Sequence, residues 1–102
     1  MPYGLSEETV NKITSVLARY PEISTAVIYG SRAKGTYRPA SDIDITLIGD
    51  GLTHDILLSI EIALDDLLLP YKIDLSLHSQ IENVDLLGHI ERVGIPIINK
   101  AC

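Results

Sequence analysis

Residues 25–48, TAVIYGSRAKGTYRPASDIDITLI, decide how this chain is read. Thr25 to Tyr29 is a short β-prone run that stops at Gly30, and Ser31 to Gly35 reads as a turn entering a short helix. Arg38 to Ser41 is a loop. Asp42 to Ile48 then alternates with period two, with Ile43, Ile45 and Leu47 on one face and Asp42, Asp44 and Thr46 on the other. The Gly30-Ser31 turn has the makings of an anion site, because backbone N–H groups are exposed there, glycine admits a ligand close to the chain, and the Ser31 hydroxyl adds a donor. Gly30 and Gly35 also have the G-x-x-x-x-G spacing of a Walker loop. Thr36-Tyr37 stands where Lys-Ser/Thr is required, so an NTPase loop of that kind is excluded.

Asp42 and Asp44, two positions apart in a strand, project from one face roughly 6–7 Å apart at Cα. Two carboxylates so close repel, and a cation between them keeps both ionised. A second alternating strand, Tyr71 to Leu77, places Asp74 on its polar face with Lys72, Ser76 and His78. If the two strands are neighbours, Asp42, Asp44 and Asp74 converge on a patch suited to one or two hard divalent ions, Mg²⁺ being the expected species beside phosphates. By itself an Asp-x-Asp pair is equally consistent with a solvated strand face. Arg32, Lys34 and Arg38 follow the Gly-Ser turn and Lys72 joins them, which favours phosphate contacts, first of all by Arg32.

Outward from this segment the chain alternates helices and strands. Ser6 caps a helix carrying Val10, Ile13, Val16, Leu17 and Tyr20 at helical spacing, which Pro21 is expected to stop. Thr53 caps a second helix with Leu57, Ile60, Leu64, Leu67 and Leu68 as its apolar stripe, ended by Pro70. A last helix from about Val84 to Val93 is expected to close on Gly94 as a left-handed cap. Ile95 to Ile98 adds a short segment that Pro96 confines to a sheet edge. The expected fold class is α+β: a small mixed β-sheet flanked by helices. His54 and His89 lack metal-ligand spacing and are expected at the surface. His78 sits on the Asp74 face beyond the strand end, where a supporting role at the site is open.

The 102 residues suit a single domain, 1–102. Hydrophobic residues make up 46%, and with five Tyr but no Phe or Trp the core must be aliphatic. A net charge of −6 argues against a generic nucleic-acid-coating surface. Cys102 has no partner for a disulfide, apolar runs are too short to span a bilayer, and Met1 is followed by no signal-peptide pattern. A cytoplasmic protein without membrane contact is therefore expected.

Residues 30–45, GSRAKGTYRPASDIDI, resemble the signature of the DNA polymerase β-like nucleotidyltransferase superfamily, and most of all its stand-alone minimal nucleotidyltransferases (MNT). The likeness extends over nearly the whole chain, since the helices, the Gly-Ser turn, the Asp-x-Asp strand and the later strand Asp occur in the expected order. The resemblance implies the polymerase β-like fold, with Gly30 and Ser31 holding a nucleoside triphosphate. It implies Asp42, Asp44 and Asp74 as catalytic metal ligands for two Mg²⁺ ions, Asp74 also being a possible base. It implies transfer of an NMP unit, AMP from ATP, to a hydroxyl of a partner protein. Proteins of this kind resemble the antitoxins of HEPN/MNT toxin–antitoxin pairs, which points to a HEPN-domain protein as partner in a hetero-oligomer. Length agrees, since a chain this short leaves the acceptor surface to another protein. The alternative is a non-catalytic nucleotide-binding antitoxin that acts by occluding its partner.

Overall fold

A computed structural model describes residues 2–99; Cys102, expected to be unpaired, lies outside them. The strands are β1 (Thr25–Tyr29), β2 (Ile43–Ile48), β3 (Ile73–Leu77) and β4 (Ile95–Asn99). They form one sheet in the order β3-β2-β1-β4. β1 pairs antiparallel with β2 and β4, and β2 pairs parallel with β3. The sheet is mixed, as the sequence predicts, and Pro96 lies in an edge strand, where its missing N–H breaks no interior ladder.

The two faces of the sheet are built differently. Helices α1 (Glu7–Leu17) and α3 (His54–Asp65) supply Ile13, Val16 and Leu17, and Leu57, Ile60 and Leu64, to the main core. These meet Ala26, Ile28, Ile43, Ile45, Leu47, Leu75 and Leu77 from the sheet. All are aliphatic, and truncating one such side chain to Ala typically costs about 2–5 kcal/mol. On the other face α4 (Val84–Val93) lays Ile90 and Leu86 over Val27 and Tyr29 of β1, a much smaller cluster. The β2–β3 end of that face, which carries the acidic residues, is covered by no α-helix among the described residues.

Local signals fix the helix starts. The Ser6 hydroxyl accepts from Thr9 N, Thr53 from Ile56 N, and Asn83 from Asp85 N and Leu86 N. The stops differ from expectation in three places. α1 ends at Leu17, with Ala18 as its cap, well before Pro21: the chain tightens into i→i+3 bonds from Arg19 N to Val16 O and Tyr20 N to Leu17 O. α3 ends at Asp65, and Leu68, with φ 54° and 88% exposed, is outside the apolar stripe. Gly94 is extended, at φ −59° and ψ 139°, and forms no left-handed cap, because the chain passes straight into β4. Its glycine serves close packing instead: a Cβ there would meet Ile90 O and would lie 2.6 Å from Val27 Cγ1.

Candidate active site

β-pairing brings together residues that are distant in sequence. Asp44 is in register with Asp74 on β3 and with Tyr29 on β1. Tyr29, Asp44 and Asp74 therefore form one rung across three strands, all on the face opposite the main core. Thr46 and Ser76 form the next rung with Val27. Asp42 is exposed at the entrance to β2, Asp44 is half-buried and Asp74 is exposed.

The turn after β1 closes onto this rung. Gly30 has φ 76° and ψ −154°, a region open almost only to glycine. A Cβ on Gly30 would collide with Asp44 Oδ2, so the backbone of the Gly-Ser turn lies directly against that carboxylate. Ser31 then starts the one-turn helix α2 (Ser31–Lys34), which Gly35 closes in the left-handed conformation at φ 83°.

Electrostatics set the rung apart. Burial raises the pKa of Asp44 above the ordinary carboxylate value, and the charges of Asp74 and Asp42 raise it further. Burial likewise raises the Tyr29 phenol; the Ser76 hydroxyl beside it opposes the shift, and Asp44 and Asp74 add to it. Thr46 Oγ1, on a fully buried residue behind the carboxylates, makes no hydrogen bond.

Arg32 has a different job from the phosphate contact the sequence suggests. It is only 2% exposed. Its Nε and Nη2 donate to Ser41 O at 3.2 and 3.0 Å, Nη2 also to Pro39 O at 3.2 Å, and Nη1 to Tyr3 O at 2.9 Å. The guanidinium carbon lies 5.3 Å from the ring centroid of Tyr37 and 4.8 Å from that of Tyr71. With these donors spent on backbone carbonyls, Arg32 anchors the loop that delivers Asp42 to β2. Lys34, Arg38 and Lys72 are exposed around the same end of the sheet.

His89 is the residue that sequence reasoning missed. It is half-buried on α4, and its Nε2 accepts a hydrogen bond from Gly30 N at 2.9 Å. Its ring meets Tyr29 edge to face, with centroids 6.3 Å apart and planes at 78°. One signal for it was present: His89 follows Leu86 by three positions and adjoins Ile90, which puts it on the buried side of an amphipathic helix. His78 lies in a 3₁₀ turn, His78–Gln80, beyond the far end of β3, about 13 Å of strand from Asp74. It has no part in the rung. His54 is exposed at the start of α3, as expected.

Among the described residues no three His, Cys, Asp or Glu side chains stand close enough to grip one ion as they are placed. The donor chemistry nevertheless suits a hard divalent cation. All three candidates are carboxylates, and a cation would offset both the burial of Asp44, the main cause of its raised pKa, and the repulsion from Asp74 and Asp42 that adds to it.

The family profile described as Polymerase beta, Nucleotidyltransferase matches residues 11–101. The chain belongs to this nucleotidyltransferase family. Solved structures share its fold. A chain of a toxin–antitoxin complex with AMP-PNP is 23% identical, with 88% of this chain and 73% of that chain covered and a TM-score of 0.72. A chain of the MntA–HepT toxin–antitoxin is 19% identical, with coverage of 92% and 73% and a TM-score of 0.68. A chain from the complex of tri-AMPylated Shewanella oneidensis HEPN toxin with MNT antitoxin is 18% identical, with coverage of 93% and 73% and a TM-score of 0.70. No curated protein matches the sequence significantly. The polymerase β-like fold expected from residues 30–45 is thus the fold observed. No helix among the described residues is long and apolar enough to cross a membrane.

Proposed function

We propose that this nucleotidyltransferase moves AMP from ATP to a hydroxyl of a partner protein, as the antitoxin of a HEPN-domain toxin, from a site contained in the one domain 1–102. The observation that carries this reading is the seating of the Gly30 backbone against Asp44, with Asp74 in register beside it. A phosphate turn and paired carboxylates then face the same small volume, as nucleotidyl transfer requires. The structural relatives support it: one complex holds AMP-PNP, and another contains a tri-AMPylated HEPN toxin with its MNT antitoxin.

In this reading Gly30 and Ser31 form the seat of the β- and γ-phosphates, the glycine by admitting them close to the chain and the serine by donating its hydroxyl. The triphosphate lies over the rung with its α-phosphorus toward Asp74. The acceptor hydroxyl oxygen bonds to the α-phosphorus, the bond to the bridging oxygen of pyrophosphate breaks, and Asp74 takes the hydroxyl proton. Asp42, Asp44 and Asp74 would hold two Mg²⁺ ions, which when bound supply charge neutralisation for the phosphoryl oxygens. Tyr29 and Thr46 close the floor beneath Asp44 and exclude water there.

The test is to incubate the chain with Mg²⁺, α-labelled ATP and a candidate HEPN-domain partner. Label on that protein, lost in Asp42→Asn and Asp44→Asn, is the expected result. A tight complex that silences the partner without label would establish occlusion instead.

A further inference from the structure

We propose that His89 is a positioning residue for the nucleotide site, holding the Gly30 peptide in the orientation that forms the phosphate turn; the proposal rests on the nucleotidyltransferase reading above.

The geometry is specific. Gly30 N donates to His89 Nε2 at 2.9 Å across 59 positions of sequence. No other hydrogen bond ties α4 to the turn among those described. An accepting Nε2 requires a lone pair there, so the ring is neutral with its proton on Nδ1. Gly30 sits at φ 76° and ψ −154°, in a region the glycine backbone does not favour over its alternatives, so an outside partner is needed to select it. The hydrogen bond supplies that selection, and the edge-to-face contact with Tyr29 fixes the ring that makes it. The consequences reach both halves of the site. One end of the Gly30 residue leads directly into Ser31, and its backbone lies against Asp44 Oδ2. A peptide free to rotate would therefore move the serine donor and lose its seat on the carboxylate together.

This arrangement assigns the Gly30 N–H to the protein and leaves phosphate to Ser31. The opposite arrangement would have His89 standing in for a phosphate oxygen and leaving when nucleotide arrives. The two make opposite forecasts. If His89 positions the turn, removing its acceptor weakens nucleotide binding; if it competes with phosphate, removing it tightens binding.

The experiment uses the full chain with Mg²⁺ and AMP-PNP, in wild type, His89→Leu and His89→Gln. Leucine keeps bulk without an acceptor, whereas the glutamine carbonyl reaches about as far as Nε2 and accepts from an N–H. Calorimetry is expected to show affinity lowered about three- to tenfold in His89→Leu, the worth of one neutral hydrogen bond, and restored to within about twofold in His89→Gln. Thermal melts identify any variant that does not fold. In parallel, ¹⁵N imidazole spectra of the wild type read the bond directly, whatever the variants do. The Nδ1–H tautomer and the shifted Gly30 amide are expected without nucleotide and are expected to persist with it. Equal or tighter binding by folded His89→Leu, or loss of the Gly30–His89 signature when AMP-PNP binds, overturns the assignment of His89 alone. A wild type that binds no AMP-PNP overturns the nucleotide reading itself, and the inference falls with it.

Discussion

Replacing Arg32 by Met separates the structural assignment of this residue from the phosphate contact its sequence position suggests. Methionine keeps the unbranched stem and removes the guanidinium. Four hydrogen bonds to the carbonyls of Tyr3, Pro39 and Ser41 vanish, and the cation–π contacts to Tyr37 and Tyr71 vanish with them. Hydrogen bonds to a charged group contribute about 1.5–3 kcal/mol each, but these four share one rigid group and do not add. A polar group left without its partner costs about 1–3 kcal/mol, so the three part-buried carbonyls together give an expected loss of about 3 kcal/mol or more. For a domain of this size each 1 kcal/mol shifts Tm by about 4–8 °C, so a fall of at least about 12 °C is expected. Urea denaturation of Arg32→Met, Arg32→Lys and wild type measures it. Lysine keeps the charge but not the planar fork, and it should recover only part of the loss. An Arg32→Met protein with wild-type stability and greatly weakened ATP binding would refute the argument, since it would place the guanidinium on the nucleotide after all.

Gly30→Ala should lower Tm and abolish transfer together, because the backbone strain and the collision with Asp44 Oδ2 both act at the site; melting curves and the labelled-ATP assay check it. Asp44→Asn should raise the stability of the metal-free protein at neutral pH. The folded-state pKa of Asp44 is raised, so its contribution to stability is complete below the ordinary carboxylate value and is lost as pH rises through the folded value. Melts of wild type and variant across that pH range should therefore diverge upward in pH, and parallel curves would contradict the shift. Ser31→Ala should weaken AMP-PNP binding about ten- to a hundredfold, whereas Asp74→Asn should spare binding and suppress transfer; paired calorimetry and transfer assays separate them.

Much of this arrangement is legible in the sequence, because period-two alternation assigns strand faces directly. Ile43, Ile45 and Leu47 go to the core and Asp44 to the opposite face, as read. β1 and α4 occur with the bounds their flanking residues suggest. Register is not legible in that way. Whether Asp74 joins Asp44 depends on β2 and β3 being neighbours, which is a property of the whole sheet. Nor does adjacency in sequence place Arg32 beside Ser31 in space. Successive helical residues project about 100° apart, so Ser31 and Arg32 leave α2 in different directions. Ser31 stays half-exposed while Arg32 turns under the loop. His89 was missed for the converse reason, since only tertiary packing carries α4 to a turn 59 positions away.

The division of labour between the two faces explains how so small a fold tolerates such a site. Three features that cost stability lie on one side: a glycine-only conformation at Gly30, a carboxylate rung with a raised Asp44, and the unbonded hydroxyl of buried Thr46. Each is of the kind that disfavours folding by about 1–3 kcal/mol. The aliphatic core under α1 and α3 lies on the other side of the same strands and includes none of them. β2 joins the two, because its alternate residues belong to each: Ile43, Ile45 and Leu47 to the core, Asp44 and Thr46 to the site. A change of register by one residue would exchange those sets and ruin both faces at once. Burial of the three aliphatic residues therefore holds the two aspartates of the rung in line, and the rigidity of the site derives from hydrophobic packing on the face that takes no part in the chemistry.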